Sequence, residues 1–191
     1  SRAFQPHFHV PLQSGDDEIL GAMRRRYRRE VYVDRVAQIR RLLRHACIGV
    51  DVIVGFPGET DRHVQNTVDV LEERDVAYLH AFTYSERPDT VAVEQLAGQM
   101  VDRAVRTQRN RVLRLLSARK RTAFYRQHLG TVRPVIWEMA GDRWVYGFTD
   151  NYIKVRAAAD PSLRGTLAQV RLDSVNDDGS VEISDPDLVI L

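Results

Sequence analysis

Three apolar runs, each closing on a polar Gly- or Pro-containing loop and separated by stretches of helical spacing, constrain this chain more than any other feature. His7 to Gln13 reads as the first strand and ends at Gln13-Ser14-Gly15. Cys47 to Val54 is a nearly continuous apolar run broken by Asp51, the pattern of a strand buried on both faces, and it ends in Gly55-Phe56-Pro57-Gly58-Glu59-Thr60. Ala77 to Tyr84 ends at Ser85-Glu86-Arg87-Pro88. Between the strands the spacing predicts helices. One starts at about Asp16, with Ile19, Leu20, Met23 and Tyr27 on one face and Ser14 or Asp16 as its cap; a second runs from about Glu30 to His45 with a stripe of Tyr32, Val36, Ile39 and Leu43; a third starts at Thr60 with Val64, Val68 and Leu71. Strands alternating with helices predict a parallel sheet with crossover connections. In such sheets the loops after the C-terminal strand ends open on one side, where ligands bind. The loops around Gln13, Gly55 and Tyr84 are therefore expected to face one shared site; the plainer reading makes them tight turns. Three such units amount to half of a small barrel or part of an open sheet.

From about Met100 to His128 the pattern is helical, with Arg103, Arg106, Arg109, Arg111, Arg114, Arg119, Lys120, Arg121 and Arg126 against one acid, Asp102. Two readings stand for this run: a solvated face, or a surface that contacts nucleic-acid phosphates and releases their counterions. Val105, Val112, Leu115 and Leu116 are expected to pack on the sheet. After Gly130 the sequence turns to short β-rich segments, Val132 to Glu138, Trp144 to Thr149, Asn151 to Arg156, Thr166 to Val175 and Val181 to Ile183, separated by turn signals. About five short strands predict a small antiparallel barrel of the OB-like kind, a class that binds single-stranded nucleic acid. Trp144, Tyr146, Phe148 and Tyr152 could offer stacking faces there, but in so small a barrel the expected place of alternate aromatics is the core. Net charge is only +2, yet residues 1–130 hold 22 of the 28 Lys and Arg and 16 of the 26 Asp and Glu, so the front is basic and the back acidic. A single cysteine, Cys47, in an apolar context, excludes a disulfide framework or a CxxC metal site within the chain and reads as a buried packing thiol. No apolar run approaches the roughly 18 residues needed to cross a bilayer, and no signal peptide is recognisable, so the expectation is a cytoplasmic protein that does not engage a membrane.

Four strings in order add specificity: His9-Val10-Pro11-Leu12-Gln13-Ser14-Gly15, Met23-Arg24-Arg25-Arg26-Tyr27, Asp51-Val52-Ile53-Val54-Gly55-Phe56-Pro57-Gly58-Glu59-Thr60 and Phe82-Thr83-Tyr84-Ser85-Glu86-Arg87-Pro88. With the basic helix and the β-rich segment behind them, the chain resembles the radical S-adenosylmethionine methylthiotransferases. His7-Phe8-His9, Tyr78 to Tyr84, Phe124-Tyr125 and Gly147-Phe148-Thr149-Asp150-Asn151-Tyr152 are most similar to the enzyme that thiomethylates threonylcarbamoyladenosine beside the tRNA anticodon; the isopentenyladenosine tRNA enzyme and the ribosomal-protein enzyme are the nearer alternatives. The resemblance implies an α/β plus all-β chain. Residues 1–129 would be the second half of a parallel (β/α) radical barrel with a basic terminal helix, and residues 130–191 a five-stranded antiparallel TRAM barrel that binds RNA.

It further implies S-adenosylmethionine and 4Fe–4S clusters in the full-length enzyme, a tRNA anticodon stem-loop as partner, and transfer of a methylthio group to the adenine C2 after hydrogen abstraction by a 5′-deoxyadenosyl radical. The CxxxCxxC cluster motif of that family is absent from this chain, so it is expected to be a fragment unable to carry out the radical step, and as a separate polypeptide an RNA-binding module. Gln13, Ser14, Arg25, Asp51, Gly55 and Gly58 are the implied cofactor-binding residues. Arg25 suits a carboxylate through its bidentate geometry, and glycines permit close backbone approach. Asp51, a lone acid in an apolar strand, needs a partner, expected to be Arg25 or the cofactor, while Glu59 is expected to serve the first turn of the following helix. Tyr84 and Arg87 sit where substrate would be met or serve the turn itself. Arg111, Arg114, Arg119, Arg121, Lys154 and Arg156 are the implied RNA contacts. Asp89 departs from the family pattern, which has glycine after Arg-Pro.

Overall fold

A computed structural model of the chain describes residues 4–140 and 142–187. It separates into two compact units, one over Phe8–Lys120 and the other over the residues from Arg121 onward with those before Phe8.

In the first unit a three-stranded sheet is ordered β1 (His7–His9), β2 (Cys47–Val54), β3 (Tyr78–Thr83). β2 and β3 run parallel with Asp51 opposite His80, and Gln13 makes an isolated parallel bridge to Val52. The connections are α1 (Asp17–Ala22) with α2 (Arg29–Leu42), then α3 (Asp61–Glu73); α4 (Val91–Gln95) and the long α5 (Arg103–Gln127) follow β3. The Asp16 carboxylate caps α1 by accepting from the Glu18 and Ile19 N–H groups, as its short polar side chain suits it to do. Tyr32 and Val36 of α2 and Val70 and Leu71 of α3 bury one face of β2, where Ile48, Val50, Val52 and Val54 are almost fully shielded. Asp51 and Ile53 point the other way and remain half-buried. On that second face Cys47 and Gly49 are buried as well, so β2 is covered on both faces over its first half and on one face more than the other from Asp51 onward.

α5 corrects the expected helix face. Leu113 and Leu116 are buried, whereas Val112 is 46 % and Leu115 64 % exposed. The stripe that meets the sheet runs Arg109, Leu113, Leu116, Ser117, so one of the arginines occupies an inward position. Two polar residues on that stripe explain the choice: the Ser117 hydroxyl accepts from the Leu79 N–H at 2.8 Å and donates to its carbonyl at 2.9 Å, and the Asn110 amide donates to the Ala81 carbonyl. These bonds satisfy backbone groups on the open edge of β3, which would otherwise be left unpaired beneath the helix.

In the second unit five strands close into a barrel ordered β4 (Val132–Ala140), β5 (Trp144–Thr149), β6 (Lys154–Ala158), β8 (Val181–Asp187), β7 (Leu167–Val175). The barrel is mixed: β6 and β8 run parallel through Val155–Val181 and Arg156–Glu182, and the other pairs are antiparallel, which corrects the expectation of an all-antiparallel barrel. Its core is aliphatic around one ring, Trp137, which is fully buried. A Cβ on Gly147 would stand 2.5 Å from the Ile136 carbonyl oxygen and 3.0 Å from the Trp137 ring, so the strand facing that ring carries glycine. Val145, Gly147 and Thr149 face inward and Trp144, Tyr146 and Phe148 outward, the reverse of the expected core aromatics. β6 starts three residues later than its spacing suggests, because 149–152 is a turn: the Thr149 carbonyl accepts from the Tyr152 N–H, the Thr149 hydroxyl accepts from the Ile153 N–H, and Tyr152 takes φ 64°.

Emptying the Leu113 position leaves a cavity under α5, so Leu113→Ala is expected to cost about 2–5 kcal/mol in urea unfolding. Leu115→Ala on the outer face is expected to stay within roughly 0.5 kcal/mol; equal costs for the two would contradict the assigned helix face.

Candidate functional site

The parallel strands place the Gln13, Gly55 and Tyr84 loops on the same edge of the sheet. The Gln13 carbonyl accepts from the Ile53 N–H, and the Tyr84 N–H donates to the Val54 carbonyl. Phe56 meets Tyr84 edge-on with ring centres 5.2 Å apart. Arg25 reaches back to this edge and donates to the Gln13 side-chain oxygen at 3.1 Å, using one of the five N–H groups of a guanidinium. A cavity of about 580 Å³, within the size range of small-molecule sites, opens beside the end of β3, lined by Thr83, Tyr84, Glu86, Met100, Arg103 and Arg106.

The other implied cofactor residues have different neighbours. Ser14 is 1 % exposed; its hydroxyl accepts from the Asp16 N–H and sits 3.5 Å from the Thr67 hydroxyl, tying α1 to α3. Asp51 pairs with His9 at 2.8 Å, not with Arg25, because its strand phase turns it to the face opposite Val50 and Val52. Gly55 and Gly58 take φ 77° and 82°, conformations that side chains resist. Arg106 lies against the first and Gln99 against the second. Arg87 is exposed and its carbonyl accepts from the Thr90 hydroxyl. Asp89 takes φ 61°, the left-handed region where glycine fits without cost.

Sequence reasoning missed the interaction that shapes this edge. Glu59 does not merely serve the start of α3; its carboxylate is buried, accepts from the Gly55 N–H at 2.6 Å, and pairs with Arg109 of α5 at 3.0 Å. The second Arg109 amino group reaches Asp61 at 2.7 Å. Burial pushes the Glu59 carboxyl above the usual carboxylate range, against the opposing pull of the Gly55 N–H and Arg109. Arg106 is committed too, donating to the Tyr84 and Val101 carbonyls and the Glu86 carboxylate, and Lys120 donates to the Glu72 and Arg74 carbonyls. Of the implied RNA contacts on the helix, Arg111, Arg114 and Arg121 are exposed, and Arg119 pairs with Glu72 at the surface. Cys47, the chain's one thiol, is 1 % exposed in the core.

The barrel carries a second arrangement on the outer face of β5 and β6. The Arg156 guanidinium lies over the Trp144 ring and the Lys154 ammonium over the Tyr146 ring, each 4.3 Å from the ring centre. Arg156 is oriented by Glu182 and Asp178 at 2.9 and 3.1 Å. Beyond them Phe148, Tyr152 and His7 form a stack, with centres 4.8 Å and 4.0 Å apart at near-parallel angles. Bidentate pairing of Arg133 with Asp150, at 2.7 and 2.8 Å, braces the turn that carries Tyr152. A cavity of about 230 Å³ borders the stack, lined by His7, Pro134, Ile136, Phe148, Tyr152 and Leu167. The helix end Phe124-Tyr125 packs inside this unit, where the Tyr125 hydroxyl accepts from the Lys154 N–H.

Arg109→Met strands the Glu59 carboxylate and is expected to cost roughly 3–5 kcal/mol, with Glu59→Gln in the same chain recovering part of the loss; Arg111→Met is expected to change stability by less than about 0.5 kcal/mol. Because the folded Glu59 carboxyl titrates above its unfolded value, the unfolded chain gives up this proton first as pH rises. The margin of the native chain over Glu59→Gln is therefore largest below the ordinary glutamate pKa and shrinks above it. Denaturant unfolding at a series of pH values reads this margin, and a margin that grows with pH would contradict the assignment.

The radical SAM superfamily model matches residues 1–71. A tRNA-2-methylthio-N(6)-dimethylallyladenosine synthase of Geobacter metallireducens is 36 % identical over 172 residues, 87 % of this chain and 38 % of that protein. A threonylcarbamoyladenosine tRNA methylthiotransferase of Bacillus subtilis is 33 % identical over 171 residues, 87 % of this chain and 38 % of that one. A tRNA-2-methylthio-N(6)-dimethylallyladenosine synthase of Symbiobacterium thermophilum is 37 % identical over 171 residues, 86 % of this chain and 35 % of its own length. The chain thus spans little more than a third of the curated relatives it matches. Over most of its own length it is a relative of the tRNA methylthiotransferases, with the radical SAM superfamily represented in its first 71 residues.

Proposed function

We propose that this chain is part of a tRNA methylthiotransferase that places a methylthio group on C2 of threonylcarbamoyladenosine beside the anticodon. The observation that carries the proposal is the similarity to tRNA methylthiotransferases across 87 % of the chain. The name of the Bacillus subtilis relative favours threonylcarbamoyladenosine, and those of the other two relatives favour dimethylallyladenosine as the second reading.

In this reading residues 1–129 form part of the radical barrel and residues 130–191 a TRAM-like RNA-binding barrel in the cytoplasm. S-adenosylmethionine, activated by a 4Fe–4S cluster, supplies the radical chemistry when bound. Arg25 and Gln13 fit its methionine end, since a guanidinium held beside an amide at a strand terminus presents donors to a carboxylate. Ser14, Gly55 and Gly58 set the shape of the surrounding loops, Asp51 adds a carboxylate from β2, and Tyr84 and Arg87 stand at the substrate side. A single buried thiol does not fit a cluster, so the cluster ligands lie outside this chain and the chain alone is inactive in the radical step.

RNA would meet the outer face of β5 and β6. Strand order 1-2-3-5-4 with a parallel 3–5 pair supports an OB-like barrel, whose second and third strands present the ligand face in proteins of that class. The cations over Trp144 and Tyr146, and the His7-Tyr152-Phe148 stack, offer both the charge and the ring faces that single-stranded bases use. Lys154, Arg156, Arg111, Arg114, Arg119 and Arg121 supply the phosphate contacts, Arg119 the least of them because Glu72 already neutralises it.

Affinity of the 191-residue chain for an anticodon stem-loop is expected to fall steeply with salt. Tyr146→Ala and Tyr152→Ala are each expected to weaken it by about 1–3 kcal/mol, the usual worth of a stacked base. Charge reversal at Arg111 and Arg114 is expected to reduce both affinity and salt slope. Binding indifferent to the two tyrosine changes would reject the barrel face as the RNA contact, binding indifferent to the charge reversals would reject the helix, and salt-independent binding would reject both.

A further inference from the structure

On the face of the three-stranded sheet that carries Asp51 and Ile53, His9, Asp51 and His80 stand side by side on three adjacent strands, one potential ligand from each. Their ligand atoms all lie within 4.8 Å of one another. Asp51 is register partner to His80 across the β2–β3 ladder and bonds His9 at 2.8 Å. We propose that these three residues form a binding site for a divalent transition-metal cation of the zinc, iron, cobalt or nickel kind.

Three observations support the assignment. Two imidazoles and one carboxylate are a donor set suited to such cations and leave coordination positions open for water or substrate. Metal bonds of about 2.0–2.2 Å place neighbouring ligand atoms about 3 Å apart. The His9–Asp51 pair already has this separation, so only the His80 ring has to turn inward. Rings flank His80 on its own strand: Tyr78 lies across Gly49, where a Cβ would stand 2.4 Å from it, and meets His80 edge-on at 5.2 Å, and Phe82 lies 6.4 Å from it.

A second cluster with similar spacing, Asp16, Glu18 and His63, makes a useful contrast. Asp16 there already accepts from the Glu18 and Ile19 N–H groups and the Asn66 amide, and Thr60 donates to one His63 ring nitrogen. Its donors serve helix capping. In the proposed site, among the described residues, the Asp51 and His9 side chains bond each other and the His80 ring meets other rings.

The metal site shares Asp51 with the proposed cofactor site, and its test needs neither tRNA nor S-adenosylmethionine. Untagged 191-residue chain, titrated with cobalt(II) alone, is expected to bind one equivalent with the d–d absorption of a low-coordinate nitrogen–oxygen site, and zinc(II) alone is expected to displace it. His9→Gln, Asp51→Asn and His80→Gln are each expected to weaken binding tenfold or more, while His45→Gln and His63→Gln leave it within twofold. Circular dichroism identifies any variant that fails to fold, and the decision then rests on the two histidine variants, whose side chains are at the surface. Absence of stoichiometric binding, or affinity that survives both His9→Gln and His80→Gln, overturns the site.

Discussion

A buried carboxylate sets the geometry of the first unit. Glu59 lies between the Gly55 N–H and the Arg109 guanidinium, so the loop after β2, the start of α3 and the approach of α5 to the sheet are fixed together. Burying the pair carries a desolvation cost that only good geometry offsets. Here the carboxylate gains the backbone N–H, and Arg109 gains the Glu59 carbonyl and Asp61. Ser117 and Asn110 then clamp the same helix along the edge of β3. The glycines at 55 and 58, needed for their left-handed backbone, allow the loop to fold back over its own glutamate.

The same economy of placement governs the barrel. One large ring, Trp137, fills its centre and requires glycine opposite, so the remaining aromatics of β5 take the outward phase. Outward rings acquire cations from β6, and the turn at 149–152 brings a further ring into a stack. The outward rings and cations of β5 and β6 thus follow from how the core is filled.

Much of this was legible in the sequence, and the failures have physical causes. β2 and β5 fall where the apolar runs place them, residues 47–54 and 144–149, and Asp16 caps α1 as its type suggests. The convergence of the Gln13, Gly55 and Tyr84 loops follows from parallel strand order alone. Helical spacing did not identify the buried face of α5, because Ser117, Asn110 and Arg109 reach inward for partners distant in sequence, and periodicity counts only apolar residues. Alternation in β5 is equally regular in either phase, and only the volume of Trp137 decides between them. The His9–Asp51 pair was hidden for a similar reason: its partners lie 42 positions apart and meet only through strand pairing.

Methylthiolation of a tRNA adenosine is the activity we propose for the protein that contains this chain. Mass spectrometry of nucleosides from total tRNA, with and without the encoding gene, tests it most directly. Loss of 2-methylthio-threonylcarbamoyladenosine on deletion, with its unmethylthiolated precursor retained, is the predicted result. Loss of the methylthiolated dimethylallyl nucleoside instead would move the substrate to the second reading, and an unchanged nucleoside profile would contradict the account.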